Sequence, residues 1–341
     1  MTPLYSKSKV KAAGEAAKLA SSPSDLDPAV AQVINFWRQA HREPMLRAID
    51  ELSGLTAAGV QYAMAGRIKK LDTIIDKLKR PSSTGYLSTM HDIGGVRVVV
   101  RDMPSLRKVC SMVEALPSYC EEHSPKRDYI AHPKGDGYRG RHYILRYGGL
   151  GSGYDSLYVE LQVRTERQHQ WATAVEMYDS VKGTRLKFDG AACGGNAFFA
   201  WMSEVIRTLE EGPSADDRAQ APLAGAAAAA ARDVLGCLDA ARNGLSVIGG
   251  EPELKPGDYA LIALNHEMQT IVVAACDEEE GLRRYFDSEL AGGQEDTLLV
   301  KASSMELVKQ MYPNYFGGIV SFSSLYGERL VPAADDLRPA P

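Results

Sequence analysis

Apolar residues recur along this chain with two different periods, and the places where the period changes mark out its elements. Between residues 28 and 66 the spacing of Val33, Ile34, Trp37, Leu46, Ile49 and Leu52 is helical. Residues 67–80 carry Ile68, Leu71, Ile75 and Leu78 on one side and Arg67, Lys69, Lys70, Lys77, Lys79 and Arg80 on the other. That pattern predicts a basic amphipathic helix, stopped by Pro81 and the Ser-Ser-Thr-Gly run behind it. Residues 93–101 and 157–164 alternate with a period of two and read as strands, as does 141–147, which a glycine-rich turn at 148–153 joins to the last. Helical patterns return at 105–116 and 165–181. Elements in this order predict an α/β or α+β domain over 28–210, a mixed β-sheet with flanking helices.

Composition shifts sharply after that. Pro, Gly and Ser at 212–216 read as a linker, and the alanine run behind them as a helix reaching Arg242, so 211–244 is a connecting segment. A hairpin at 258–264 and 269–276, a helix at 278–290, a strand at 297–301 and a short helix at 304–310 then predict a second, small α+β domain over 245–332. The first 27 residues read as a polar arm with Lys7, Lys9 and Lys11, and 333–341 as a frayed tail.

Charge adds a polarity to this plan. The net charge is −5, which argues against a generic nucleic-acid binder. From Glu251 onward there are 16 acidic and 7 basic residues, so the first 250 carry about +4. A basic front and an acidic back suit two modules that attract each other. The five cysteines form no Cys-x-x-Cys pair and fit reduced thiols in a cytoplasmic protein. No run of 18 apolar residues predicts a membrane span, and the N-terminus does not read as a secretory signal.

The chemistry-bearing residues fall in three places. Along 157–164, Leu157, Val159, Leu161 and Val163 share one face, and Glu160, Gln162 and Arg164 the other, which an ordinary amphipathic strand would also show. Asp92 stands just before the strand that carries Arg97. Carboxylates delivered by two strands of one sheet suit Mg²⁺, which takes oxygen ligands and substrate phosphates. Third comes the loop 128–142, with Gly135, Gly137 and Gly140 for close backbone approach and Lys134, Arg139, Arg141 and His142 for phosphate oxygens. Tyr138 within it offers a flat face for a base, or simple packing.

Taken together, Arg67-Ile-Lys69…Thr73…Lys77, Asp92-Ile-Gly-Gly-Val-Arg97, Asp128-Tyr-Ile…Pro133-Lys134…Gly137-Tyr138-Arg139…His142 and Glu160-Leu-Gln-Val-Arg164-Thr165 resemble the synthetase domain of the RelA/SpoT family, over about residues 30–190. The resemblance implies a nucleotidyltransferase-like fold and an ATP-dependent pyrophosphokinase. By it, Arg67 and Arg97 flank the ATP adenine, and Lys69, Thr73 and Lys77 sit by its phosphates. Asp92 and Glu160 bind Mg²⁺, and Glu160 takes the proton of the attacking 3′-hydroxyl. Tyr138 stacks on the acceptor base, while Lys134, Arg139, His142, Gln162 and Arg164 orient acceptor and phosphates. His91-Asp92 also resembles the metal-binding pair of alarmone hydrolases, but His41 is the lone histidine upstream, which argues against hydrolysis.

Departures from the family pattern point to a branch. Gly140 replaces a usual serine, and Trp37-Arg38…His41…Pro44 resembles the opening helix of toxic small alarmone synthetases. Tyr312-Pro-Asn-Tyr315 resembles a motif of the fused toxin–antitoxin, CapRel-like members, whose C-terminal domain is a degenerate zinc finger that silences the ATP site. Apart from the family, the same two tyrosines read as a turn packed on its own domain. The implied acceptor is the 3′-terminal adenosine of tRNA, with Lys7, Lys9, Lys11, Arg38, Arg42, Lys79 and Arg80 as basic contacts, and a phage protein as trigger. The alternatives are a (p)ppGpp or (p)ppApp synthetase acting on guanine or adenine nucleotides, and an inactive binding module, which intact Asp92, Glu160 and Tyr138 disfavour.

Overall fold

The computed structural model describes residues 4–80, 86–123, 127–148, 152–183, 195–213, 221–265, 267–291 and 295–316. The helix stop at 81–85, part of the glycine-rich turn, Cys193, positions 317–332 and the tail at 333–341 lie outside these residues.

Eight strands form one continuous sheet: β1 (Tyr62–Ile68), β2 (Gly94–Val100), β3 (Arg141–Tyr147), β4 (Leu157–Thr165), β5 (Ser246–Ile248), β6 (Tyr259–Asn265), β7 (Thr270–Cys276) and β8 (Glu295–Lys301), in the order β3-β4-β2-β1-β8-β6-β7-β5. β2 and β4 are parallel, while β1 with β2 and β3 with β4 are antiparallel. On one face, Val96, Val98, Tyr143, Leu145, Leu161 and Val163 pack under α3 (Arg42–Leu52) and α5 (Met103–Glu114). Burying each such side chain stabilises the fold by roughly 1.5–3 kcal/mol. The polar positions of β4 are thereby left on the opposite face, where the chemistry lies.

Strand β1 departs from the helical expectation. Its sequence, Tyr-Ala-Met-Ala-Gly-Arg-Ile, is rich in residues that favour helices, yet all seven positions pair with β2. Pairing on both edges overrides local propensity. Gly66 lets α3 sit close, since a Cβ there would come within 2.7 Å of Ile49 Cδ1 and the Ile49 and Met45 side-chain ends would have to shift. The basic segment therefore divides: Arg67 ends a strand, Lys69 lies in the connection, and Thr73 and Lys77 ride on α4 (Leu71–Lys79).

The N-terminal arm is likewise structured. Ser6 caps α1 (Lys7–Ala17), whose Val10, Ala13 and Ala17 are buried with Ile34 and Trp37 of α2 (Pro28–Ala40) and Leu71 and Ile74 of α4. Thr165 and Gln168 cap α6 (Glu166–Lys182), which packs with α7 (Gly195–Glu211) and α8 (Ala221–Gly244) around Trp171, Phe198, Phe199, Val234 and Leu238. The alanine-rich stretch thus forms a packed helix rather than a loose tether.

The C-terminal segment does not stand apart as a second body. Its strands extend the sheet beyond β1 through Gly66 opposite Lys301. Its helices are α9 (Glu278–Leu290), α10 (Met305–Met311) and α11 (Pro313–Phe316). Ala63, Ala65 and Val99 share one apolar cluster with Ile262, Val300, Met311, Tyr312 and Tyr315. Arg38, expected as a tRNA contact, is fully buried; it pairs with Glu289 at 2.7 Å and donates to Lys69 O at 3.0 Å. No helix among the described residues is long and apolar enough to cross a membrane.

Candidate active site

Sheet register lines up the site in rows, since residues directly opposite on paired strands point to the same face. Arg67, Gly95 and Glu160 form one row across β1, β2 and β4. Ala65, Arg97, Gln162 and His142 form the next, and Ala63, Val99 and Arg164 the one after. Gly95 and the two alanines keep the floor low between the long charged side chains. Asp92 precedes β2 and is held at its mouth because Lys69 N donates to Ile93 O at 2.8 Å.

Each carboxylate is wrapped in cations. Asp92 Oδ2 accepts from Lys77 Nζ at 2.7 Å and Lys69 Nζ at 3.1 Å. Its Oδ1 is buried and has no hydrogen-bond partner among the described residues. Burial works against the Asp92 charge and Glu160 repels it, but Lys69 and Lys77 prevail and hold the carboxyl below the usual range. Glu160 Oε1 accepts from Arg127 at 2.9 Å and faces His142 Nδ1 at 3.4 Å; Oε2 accepts from Gln162 at 2.9 Å. Burial again opposes the charge, and His142, Gln162 and Arg127 more than offset it, leaving Glu160 well below the carboxylate range. Both groups are therefore anionic at neutral pH. An oxygen-only pair, one member with an unsatisfied buried oxygen, fits Mg²⁺.

The acceptor loop is tighter than its glycines suggest. Tyr138 is 4% exposed; its hydroxyl meets His142 Nε2 at 2.5 Å and accepts from Arg164 Nε at 3.0 Å. Lys134 lies 4.9 Å from its ring centre, as does the Arg164 guanidinium. Tyr138 is thus no open stacking platform in this conformation; it links His142 to Arg164, which also donates to Gln162 at 2.8 Å. Arg139 points away from the site. Its guanidinium donates to Ser203 at 3.1 Å, pairs with Glu204 on α7 and reaches Ile130 O, so it braces the loop instead of orienting an acceptor.

The expected ATP side holds Arg67, Thr73 and Arg97, and the C-terminal segment is already there. A cleft of about 830 Å³ is lined by these residues together with Lys70, Glu176, Asp296, Tyr312 and Tyr315. Arg97 Nη1 donates to Met311 O at 3.3 Å, and its guanidinium lies 5.8 Å from the Tyr312 ring centre. Burial and then the neighbouring Arg164 pull Arg97 down to about 10, and its Nε is a buried donor with no partner among the described residues. Tyr315 donates to Asp296 at 2.9 Å and accepts from Lys70 at 3.0 Å, while Lys70 and Asp296 form an ion pair. His169 Nε2 contacts Gln310 O at 3.1 Å.

Arg127, Lys70, Glu176 and His169 were not singled out from sequence. Arg127 neighbours the Asp128 block, so its place beside that motif was the available signal. Nothing in the pattern distinguishes Lys70 from the other cations of its segment.

Comparison with known proteins identifies the family. A profile described as a region found in RelA / SpoT proteins matches residues 66–180. The GTP pyrophosphokinase YjbM of Bacillus subtilis is 33% identical over 163 residues, which cover 46% of this chain and 76% of that one. A probable chloroplast GTP diphosphokinase of Arabidopsis thaliana, RSH2, is 32% identical over 124 residues, 36% of this chain but only 16% of that protein. Among solved structures, small alarmone synthetase 1 from Bacillus subtilis bound to its product pppGpp aligns with a TM-score of 0.43 at 24% identity, covering 54% of this chain and 94% of that one.

Proposed function

The chain belongs to the RelA/SpoT family of pyrophosphokinases, and on that premise we propose that Asp92, Glu160 and their cations move pyrophosphate from ATP to a ribose 3′-hydroxyl, with the C-terminal segment holding the enzyme off. The supporting observation is the register that sets Glu160 opposite Gly95, three residues past Asp92, which brings the two carboxylates near enough for Glu160 to repel the Asp92 charge. Asp92 and Glu160 would hold Mg²⁺, which when bound supplies charge neutralisation on the phosphates. Lys69 and Lys77, now on Asp92, turn to phosphate oxygens. Arg67 and Arg97 hold the adenine between guanidinium planes, with the unpartnered Arg97 Nε as a further donor. Glu160 accepts the 3′-hydroxyl proton as the ribose oxygen bonds to the β-phosphorus; the bond to the α–β bridging oxygen breaks and AMP leaves. Gln162 and His142 fix the Glu160 carboxylate, so little needs to reorganise during transfer.

Tyr312 lies where an adenine would meet Arg97, which supports self-inhibition by competition for the ATP side. We take the acceptor to be the 3′-terminal adenosine of tRNA, on the resemblance of the Trp37 and Tyr312 motifs to the toxic fused branch, with a phage protein as the releasing partner. A guanine nucleotide is the second reading, favoured by the names of the relatives. The test is full-length protein with Mg²⁺ and γ-labelled ATP, offered tRNA or GTP, before and after Tyr312→Ala/Tyr315→Ala. Label in tRNA with release of AMP is expected. Label in GTP alone overturns the acceptor, and label in neither from the opened protein overturns the transfer.

A further inference from the structure

A second set of metal-type donors lies beside the carboxylates and plays no part in the reaction above. Glu121–His123 form a single 3-10 turn. Side chains three apart eclipse in that geometry, so Cys120 and His123 rise on the same side. The turn is pinned to the sheet: Cys120 N donates to Ile144 O at 2.9 Å, and His123 N to Cys120 O at 3.3 Å. Cys120 Sγ, a Glu122 carboxylate oxygen and a His123 ring nitrogen all lie within 4.8 Å of one another. A fourth donor comes from elsewhere in the chain. The His91 ring lies against His123, with centroids 4.3 Å apart, and Tyr158 of β4 backs both rings at 4.5 and 5.4 Å.

We infer that Cys120, Glu122, His123 and His91 form a binding site for Zn²⁺, separate from the Mg²⁺ carboxylates. The donor set decides the class. Thiolate and imidazole suit a borderline metal, and Mg²⁺ takes oxygen ligands. One thiolate and one carboxylate balance the charge of a divalent ion, with two neutral imidazoles completing four-coordination. Ligand atoms of tetrahedral zinc sit roughly 3.3–3.8 Å apart, given zinc bonds of about 2.0–2.3 Å. The spacing of Cys120, Glu122 and His123 therefore needs only side-chain rotation to close, and His91, whose ring rests on His123 outside that group of three, must turn a nitrogen inward to join them. Cys120 and His91 are only partly buried, which leaves an ion a way in. Sequence spacing pointed away from zinc for want of a Cys-x-x-Cys pair; the pairing here is Cys-x-x-His, completed across the fold. Because His91 precedes Asp92, an ion at this place ties the 120–123 turn to the backbone of a proposed Mg²⁺ ligand.

The test uses full-length protein stripped with a chelator and titrated with Zn²⁺ by calorimetry in excess Mg²⁺, so that the carboxylate centre is saturated. One equivalent should bind. Cys120→Ser and His123→Ala should each weaken it by more than the roughly 10–100-fold that losing an outer partner of a metal site costs. His91→Ala and Glu122→Gln should weaken it at least about 10-fold, and His132→Ala, at an exposed site, should not. Co²⁺ should give a thiolate charge-transfer band that Cys120→Ser abolishes. Zinc binding should persist in Asp92→Asn, which separates this site from the pyrophosphokinase centre. Melting curves of the metal-free variants report folding, and the exposed Glu122→Gln tests the site even where a cysteine variant unfolds. No stoichiometric binding by the parent, binding indifferent to Cys120 and His123, or loss of binding in Asp92→Asn overturns the proposal.

Discussion

Truncating Tyr312 and Tyr315 to alanine tests the self-inhibited state most directly. Both are 5% exposed, and they share their burial between their own helices and the Ala63–Ala65 side of the sheet. A buried tyrosine covers about 150–250 Å². Assigning half of that to the contact with β1 and β2, at about 25 cal/mol per Å², gives roughly 2–3 kcal/mol for each ring. Part of this returns as the remaining atoms settle, so about 2–4 kcal/mol is a working range for the pair. For a resting population closed 99:1, a loss of that size raises the open fraction from about 1% to about 25–90%. Basal AMP release from ATP and acceptor should then rise about 20- to 90-fold with no trigger added. The assay compares initial rates of parent and double variant at matched concentration, with a melting curve for each. A double variant that melts as one cooperative unit and yet turns over at the parental rate refutes the reasoning.

In that opened background, Asp92→Asn and Glu160→Gln should each lower kcat by at least about 100-fold with the fold intact; near-normal rates in both would remove them from the centre. Arg139→Ala should cost about 1.5–3 kcal/mol of stability in urea melts, because it removes the bonds to Ser203 and Ile130 O and one of the two arginines on Glu204, which keeps Arg207, while leaving acceptor KM little changed; a KM effect without destabilisation would return Arg139 to the acceptor site. His41 is buried with its Nδ1 at 2.8 Å from Trp37 O, and burial lowers it to about 4. The unfolded chain takes up that proton near 6.5, so stability should fall as pH drops from about 6.5 to about 4 and hold steady above. His41→Asn should flatten this part of the profile, and an unchanged slope would show that His41 does not set it.

What the sequence disclosed depended on how local each signal was. Strands β2 and β4 were legible because alternation is written into ten or fewer consecutive residues, and with β4 came the shared face of Glu160, Gln162 and Arg164. β1 was not, because Ala63, Ala65 and Gly66 fit a strand only by virtue of what packs on either side. Arg67 accordingly moved from a helix to a strand end. Arg139 sits inside a recognisable block, and its pairing with Glu204 on a helix 65 positions away has no local trace. Tyr138 was expected as a stacking platform, and its burial and its hydroxyl contacts to His142 and Arg164 depend on residues outside its own block. That Tyr312 and Tyr315 would cover the region of Arg67 and Arg97 is an expectation of the resemblance alone, and Lys70 as the partner of Tyr315 was not part of it; charge asymmetry indicated attraction between the two ends of the chain without saying where they meet.

The single register step that joins β1 to β8, Gly66 opposite Lys301, has a further meaning. It makes β1 an interior strand only while the C-terminal segment is in place. Release would turn it into a bare edge, a row of peptide N–H and C=O groups with no partner, of the kind that adheres to any extended chain that reaches it. An activated molecule would therefore be sticky as well as active. Its rate of self-association should climb with concentration, and a releasing partner that offers a strand of its own would both open the enzyme and cover the exposed edge.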